Sequence, residues 1–358
     1  MLLPPAAVAG DWLPRDPPAG AEAAWRLSVR SQKHNDAMPL AAMGDDDWSA
    51  LRPRPGLNLA YLDEEVRLQR RSGAWTFGLL GRQYATVVAS QASLQLAAML
   101  DAGQRPATDA AWQLDVKFRG FSGVGGLAAR EWALAPAWTL AVSTQALVLE
   151  RWRERSLAGP VGYTAADATY GFNLKYAELD NRLEFPYQQP FAAHGAGLLL
   201  GAELHWQQDD WSASAALFDG GWLHWRGMPQ QQATADTAAQ GTDPDGFPIY
   251  LPLVQGTNSQ AGLTRRQPFR GRFAVARDLG GVGRIGLAVE TLPGFGALPA
   301  LNWRQNLGSV QIGLGWQLHE RRATLALAWR GLQLQAGADR LGAQARSRDL
   351  GLAWQIPL

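Results

Sequence analysis

The chain ends in an unbroken alternation: Leu350, Leu352, Trp354 and Ile356 fall on one face of the final strand, and Gly351, Ala353 and Gln355 fall on the other. That is the period of two of a β-sheet. A strand at the very end of a chain has two fates. In an open sheet it is an edge whose unpaired backbone groups invite aggregation, whereas in a closed barrel it pairs with the first strand and no edge remains. The same alternation recurs upstream. Trp112, Leu114, Val116 and Phe118 alternate with Gln113, Asp115, Lys117 and Arg119. Tyr170, Phe172, Leu174 and Tyr176 alternate with Thr169, Gly171, Asn173 and Lys175, and Val310, Ile312, Leu314 and Trp316 with Gln311, Gly313, Gly315 and Gln317.

Soluble antiparallel sheets also alternate. The 16 tryptophans, and the charges on the face a soluble protein would have to bury or solvate, favour the inverted arrangement. In that arrangement apolar residues meet lipid, aromatics form interfacial girdles and charges line a watery lumen. The 358 residues, 39 of them glycine, suit one large barrel with no second domain. No apolar run approaches the roughly 20 residues that a spanning helix needs, so a mean hydropathy of -0.19 does not exclude a membrane protein built of strands. A net charge of +1 argues against a nucleic-acid partner, and the absence of cysteine is compatible with an oxidising compartment.

The spacing of Asp349, Gly351, Trp354 and Ile356 resembles the C-terminal assembly signal of Gram-negative outer-membrane β-barrel proteins. Pro357 and Leu358 follow where that pattern usually carries a terminal aromatic. The resemblance implies an all-β, single closed antiparallel transmembrane barrel in the bacterial outer membrane, of porin-like type, with no subfamily identified. It also implies outer-membrane lipid and the barrel-assembly machinery as partners. Met1 to Gly10 is apolar, lacks a charged leading segment and ends in the small-x-small pattern Ala7-Val8-Ala9, so residues 1–9 are expected to be a signal-peptide remnant, with an ordinary Ala/Pro-rich tail as the alternative, and residues 10–358 the barrel.

If the last strand finishes in the periplasm, short turns should alternate with long outer loops. His319 to Arg322, Asp278 to Gly283, Gln207 to Asp210, Leu179 to Asn181 and Ala135 to Ala137 are the expected periplasmic turns. Gly337 to Ala345, Leu292 to Ala300, Gly220 to about Asn258 and Arg153 to Asp167 are the expected extracellular loops. The loop near 220–258 is read either as a constriction folded into the pore or as a surface lid. Toward the N-terminus, Ala24 to Gln32, Leu57 to Arg70, Ala74 to Val88 and Ala110 to Gly120 read as strands but make the total odd. Bacterial single-chain barrels are even, which gives about 16 strands, with 14 as the alternative. Ser93 to Leu100 is either a hidden strand or a short helix packed in the lumen.

Asp115, Lys117, Arg119, Glu203, Arg272, Arg284, Glu290 and Arg330 fall on the polar phase and are the candidate lumen and selectivity residues. Both signs suit small hydrophilic solutes, and the excess of arginine suggests anionic ones. The alternative is that cross-strand Arg and Glu pairs brace the wall and plug the pore. Gly351, Trp354 and Ile356 carry the assembly signal.

The five histidines, at 34, 194, 205, 224 and 319, include no pair with metal-ligand spacing. His205 beside Glu203 is read as pore-lining rather than as a base, His224 as an interfacial anchor and His319 as a solvated turn residue. Gly281-Val282-Gly283-Arg284-Ile285-Gly286 satisfies the dinucleotide fingerprint, but it leads into an alternating strand rather than a helix. No catalytic site, cofactor or metal is expected. The function expected is a channel for small hydrophilic solutes. The alternatives are a conduit or anchor in secretion, assembly or polysaccharide export, with accessory proteins or a homotrimer as possible partners, and a surface hydrolase.

Overall fold

The computed structural model describes residues 24–44, 48–237, 240–242, 245, 248–250 and 253–357. The N-terminal apolar stretch lies outside them. Among the described residues the ordered elements are β1 (Ala24–Asn35), β2 (Leu57–Ser72), β3 (Trp75–Ser90), α1 (Gln91–Asp101), β4 (Ala110–Ala135), β5 (Trp138–Thr164), β6 (Thr169–Asp180), β7 (Gly195–Gln208) and β8 (Trp211–Asp236). There follow β9 (Gln240–Thr242), β10 (Pro248–Tyr250), β11 (Val254–Gln267), β12 (Arg270–Asp278), β13 (Arg284–Leu292), β14 (Gly296–Leu307), β15 (Val310–Gln317), β16 (Arg322–Trp329), β17 (Leu332–Ala338) and β18 (Ser347–Pro357). Except for the small β9–β10 hairpin, all the strands join one sheet.

The sheet closes because β18 runs antiparallel to β1 from Ala24↔Pro357 to His34↔Ser347, as the terminal alternation requires. The sheet's 16 strands make only fourteen staves. β6 and β7 lie end to end in the slot between β5 and β8, with residues 181–194 between them. β11 and β12 lie end to end along the other side of β8, broken at Pro268 and Phe269. Pro268 has no N–H for the ladder. Phe269 fits because its neighbour is glycine: a Cβ on Gly220 would lie 2.2 Å from the ring. The count of about 16 thus describes strand segments, and the alternative of 14 describes the wall.

Several connections differ from the sequence expectation. His319–Arg322 lies at the loop end, opposite the chain termini, because β15 ascends and β16 descends. Leu179–Asn181 is not a hairpin turn, since the chain continues in the same direction into β7. β8 and β11 run through most of the loop expected at 220–258, leaving residues 237–253 as the connection. Asp243, Pro244 and Gly246 lie outside the described residues.

Helix α1 forms as its Ala and Leu content favours. Ser90 caps its N-terminus by accepting a hydrogen bond from the Ser93 N–H. It does not pack in the lumen: Leu96 packs against Leu114 and Val161, on the face of β4 and β5 opposite Lys117 and Arg119.

The outer face is a continuous apolar surface. Val29 lies beside Val66 and Leu352, and Leu334 beside Leu327 and Leu352. Leu350, Leu352, Trp354 and Ile356 all face outward and are exposed. A closed barrel with an outer surface of this kind presents no edge strand to hydrocarbon. Such a barrel is a protein of the bacterial outer membrane.

Candidate functional site

Because side chains alternate, each stave sends every second residue into the lumen. Asp63 on β2, Arg82 on β3, Asp219 on β8, Arg270 on β12 and Glu290 on β13 therefore meet at mid-height. Arg270 Nη1 donates to Asp63 Oδ2 at 2.8 Å and to Asp219 Oδ2 at 3.2 Å, and its Nη2 donates to Glu290 Oε1. Arg82 Nη2 donates to Asp219 Oδ2 at 2.6 Å, and Arg30 Nη2 donates to Asp63 Oδ2 at 3.2 Å. Arg82 and Arg270 also lie over the ring of Tyr84, and Arg270 over Phe218. Asp219 reaches inward because the backbone bulges there, with φ 64° just after the last β12 partner, Phe218.

This waist separates two cavities. The one toward the termini, about 360 Å³, is lined by Arg26, Arg67, Glu203, His205 and Arg272 among others. The one toward the loops, about 390 Å³, is lined by Thr86, Lys117, Arg119, Glu154, Arg265 and Gln267 among others. Beside the network is a void of about 30 Å³ bordered by Tyr61, Tyr84, Arg270, Glu290, Glu320 and Arg322. That is space for little more than water.

Of the residues singled out from the sequence, Lys117 and Arg119 border the loop-side cavity, each held by a carboxylate: Asp115 at 3.2 Å and Glu154 at 3.5 Å. Glu203 and Arg272 border the terminal-side cavity, and Arg272 pairs with Glu290 at 3.2 Å. Arg284 stands opposite Arg304 across β13–β14 and donates to Ser212 Oγ. Arg330 is not in the lumen: it occupies the exposed turn between β16 and β17 and lies over Trp329. Sequence reading missed Asp63, Arg82, Asp219 and Arg270. The one local signal was Phe218-Asp219-Gly220-Gly221, where a polar residue before two glycines marks a bulge.

At the loop end, His34, Asp36 and His319 converge, brought together by barrel closure rather than by spacing. Asp36 Oδ1 lies 3.0 Å from Nε2 of each histidine, and Oδ2 accepts from the Leu59 N–H at 2.9 Å. Burial raises the affinity of the Asp36 carboxyl for protons. Hydrogen bonds from His319 and His34 outweigh that and hold its pKa well below the usual carboxylate range. His319 is therefore tied down rather than solvated. Two imidazoles and a carboxylate are a metal-type donor set, with ligand atoms within 4.8 Å of one another. Arg54 Nη1, however, already sits 2.5 Å from Asp36 Oδ1, so a metal ion would have to displace a guanidinium.

His205 faces Ser214 across β7–β8, with Glu203 two pairs along. These are residue types of a hydrolase, but Ser214 lies between ladders to β7 and to β12. Its backbone is thus flanked by paired strands on both sides.

No protein family matches the chain, and no curated protein resembles it in sequence. Among solved structures it is similar to the P. putida toluene transporter TodX, at 8% identity over 94% of this chain and 90% of that one, TM-score 0.41. It is also similar to the Ralstonia pickettii toluene transporter TbuX, at 8% identity over 95% and 90%, TM-score 0.35. A third similar structure is the Escherichia coli outer membrane protease OmpT, at 10% identity over 94% and 96%, TM-score 0.24. Identities and scores of this size leave the function to the barrel's own geometry.

Proposed function

We propose that the chain is an outer-membrane channel for small solutes, with two water-filled vestibules joined through a waist that is closed in this conformation. The observation that carries this reading is the pair of cavities bordered by charged side chains, one on each side of the Asp63–Arg82–Asp219–Arg270–Glu290 network, inside a wall whose outer face is apolar. A solid structural barrel would gain nothing from two chambers lined by charge. With the termini on the periplasmic side, the cavity holding Arg26 and Glu203 faces the periplasm and the one holding Lys117 and Arg119 faces outward.

The solutes are hydrophilic and preferentially anionic. Lys117, Arg119 and Arg265 line the outer vestibule, and Arg284 and Arg304 stand side by side on the inner wall. Planar-bilayer recording tests the proposal. The wild type should show low or intermittent conductance, and variants that break the waist should conduct steadily. A bilayer that stays silent with both rejects the channel in favour of a plugged anchor.

A further inference from the structure

The tryptophans are concentrated at the terminal end, beside the turns, and several carry an arginine on their face. Arg70 lies 5.8 Å from the Trp25 ring, and Arg130 lies 5.0 Å from Trp75 and 5.1 Å from Trp132. Arg277 lies 5.2 Å from Trp211, and Arg330 5.2 Å from Trp329. All four arginines are exposed. None of the four makes an ion pair with a described carboxylate, in contrast to lumenal Arg30, Arg82, Arg270 and Arg272. The register puts Arg70 beside Trp25 and Phe77, and Arg130 beside Trp75. Trp75 and Phe77 are stacked, at 5.6 Å. Trp25, Arg70, Phe77, Trp75, Arg130 and Trp132 thus form one outward patch across β1–β4. Around Arg277 the charge is offset by Asp209, Asp210 and Asp278, so the β1–β4 patch is the strongest part of the ring.

A guanidinium stacked on an indole spends only its flat face on the ring and keeps its N–H edges for an acceptor in the same plane. A phosphate is the matching acceptor. Tryptophans at this height of a barrel sit at the boundary between acyl chains and headgroups. We infer that the Trp–Arg patch on β1–β4 is a docking surface for anionic phospholipid, with the headgroup phosphate held by Arg70 and Arg130 and the acyl chains lying against Leu27, Leu68 and Phe77. The inference rests on the membrane placement stated under Proposed function. The occupant is a lipid rather than free phosphate because the patch continues into the exposed apolar surface of Leu27, Leu68 and Leu79.

The test uses the full chain in phosphatidylcholine vesicles with graded phosphatidylglycerol, one lipid at a time carrying brominated acyl chains that quench tryptophan. In the wild type, brominated phosphatidylglycerol should quench at about a five-fold lower mole fraction than brominated phosphatidylcholine, the scale expected for one arginine at an anionic surface. Arg70→Gln and Arg130→Gln should each narrow that gap, and together should abolish it. Heat-modifiable gel mobility shows that each variant is folded, and Arg70→Lys, which keeps the charge but loses the flat stack, should retain part of the preference. Equal quenching by both lipids in the wild type, or a preference that survives in the folded double variant, overturns the inference while leaving the membrane placement intact. Loss of the preference on adding inorganic phosphate would assign the patch to the free ion and also overturn it. Absence of quenching by either lipid rejects the membrane placement itself.

Discussion

Asp63 and Arg270 lie 207 residues apart in the chain and meet at 2.8 Å in the middle of the lumen, reaching inward from well-separated staves. Their contact, with Arg82, Asp219 and Glu290 around it, is what divides the interior into two chambers. Both side chains are almost wholly buried. Each therefore depends on the other to offset the cost of leaving water.

Breaking the waist from one side should open the path and weaken the barrel together. Asp219→Asn removes the charge that Arg82 and Arg270 share, leaving two buried guanidiniums short of a partner. A loss of about 3–5 kcal/mol in folding stability is expected, the usual cost of breaking a buried pair. Urea titration in vesicles measures it, and the same variant should raise single-channel conductance. A variant that is destabilised but conducts no better would show that the waist is not the barrier to flow.

Removing arginine from the lumen should move ion selectivity toward cations. Arg119→Ala frees Glu154 at the outer chamber, and Arg284→Ala dilutes the positive pair it forms with Arg304 across β13–β14. The reversal potential in a salt gradient reports the shift. An unchanged potential in both variants counts against these positions as selectivity elements.

Acid should loosen the loop-end closure through Asp36. Its carboxyl has a lower pKa folded than unfolded, where the ordinary value is 3.8. The resulting stability is fully present above that value and is lost as the pH falls through it toward the folded pKa. Proteolysis of residues 36–56 should therefore rise as the pH drops below about 4, and Asp36→Asn should make the segment susceptible already at neutral pH. A protease pattern independent of pH in the wild type would rule this anchor out.

On the outer face, Leu327→Arg should impair insertion. The residue is exposed on the apolar band beside Leu334, where a midplane arginine costs about 2–4 kcal/mol. Folding yield into vesicles should drop, while Gln335→Arg on the inward face of β17 should be less damaging to insertion. Equal effects would contradict the assigned facing of β16 and β17.

His205→Ala should leave conductance unchanged. Its cavity remains lined by Arg26, Arg67 and Glu203. Loss of a hydrolytic activity in this variant would restore the enzyme reading.

The barrel itself was legible because lipid imposes one rule on every stave, so the alternation at Leu350–Ile356 or Val310–Trp316 carries its meaning locally. Lys117, Arg119, Arg272 and Glu290 could be placed inside by the same parity. What local pattern could not show was which inward charges meet. Asp63 and Arg270 become neighbours only once the ring has closed, as do His34 and His319, whose separation in sequence gave no hint of a shared partner in Asp36. The two broken staves hid the wall's true count, since β6 and β7 look like separate strands until both are seen to pair with β5. Arg330 was misplaced for a simpler reason: the alternation of β16 was carried one residue past its end, into the turn.

The staves are very unequal, with 27 residues in β5 and 7 in β17. At about 3.3 Å per residue, the short flank around β16 and β17 is only about 20 Å tall once tilt is counted, less than the roughly 25–30 Å of hydrocarbon it must cross. The surrounding leaflets therefore have to draw together on that flank and relax on the other. A deformation confined to one side is relieved when two such flanks face each other, so crowding in the bilayer should orient these molecules short side to short side.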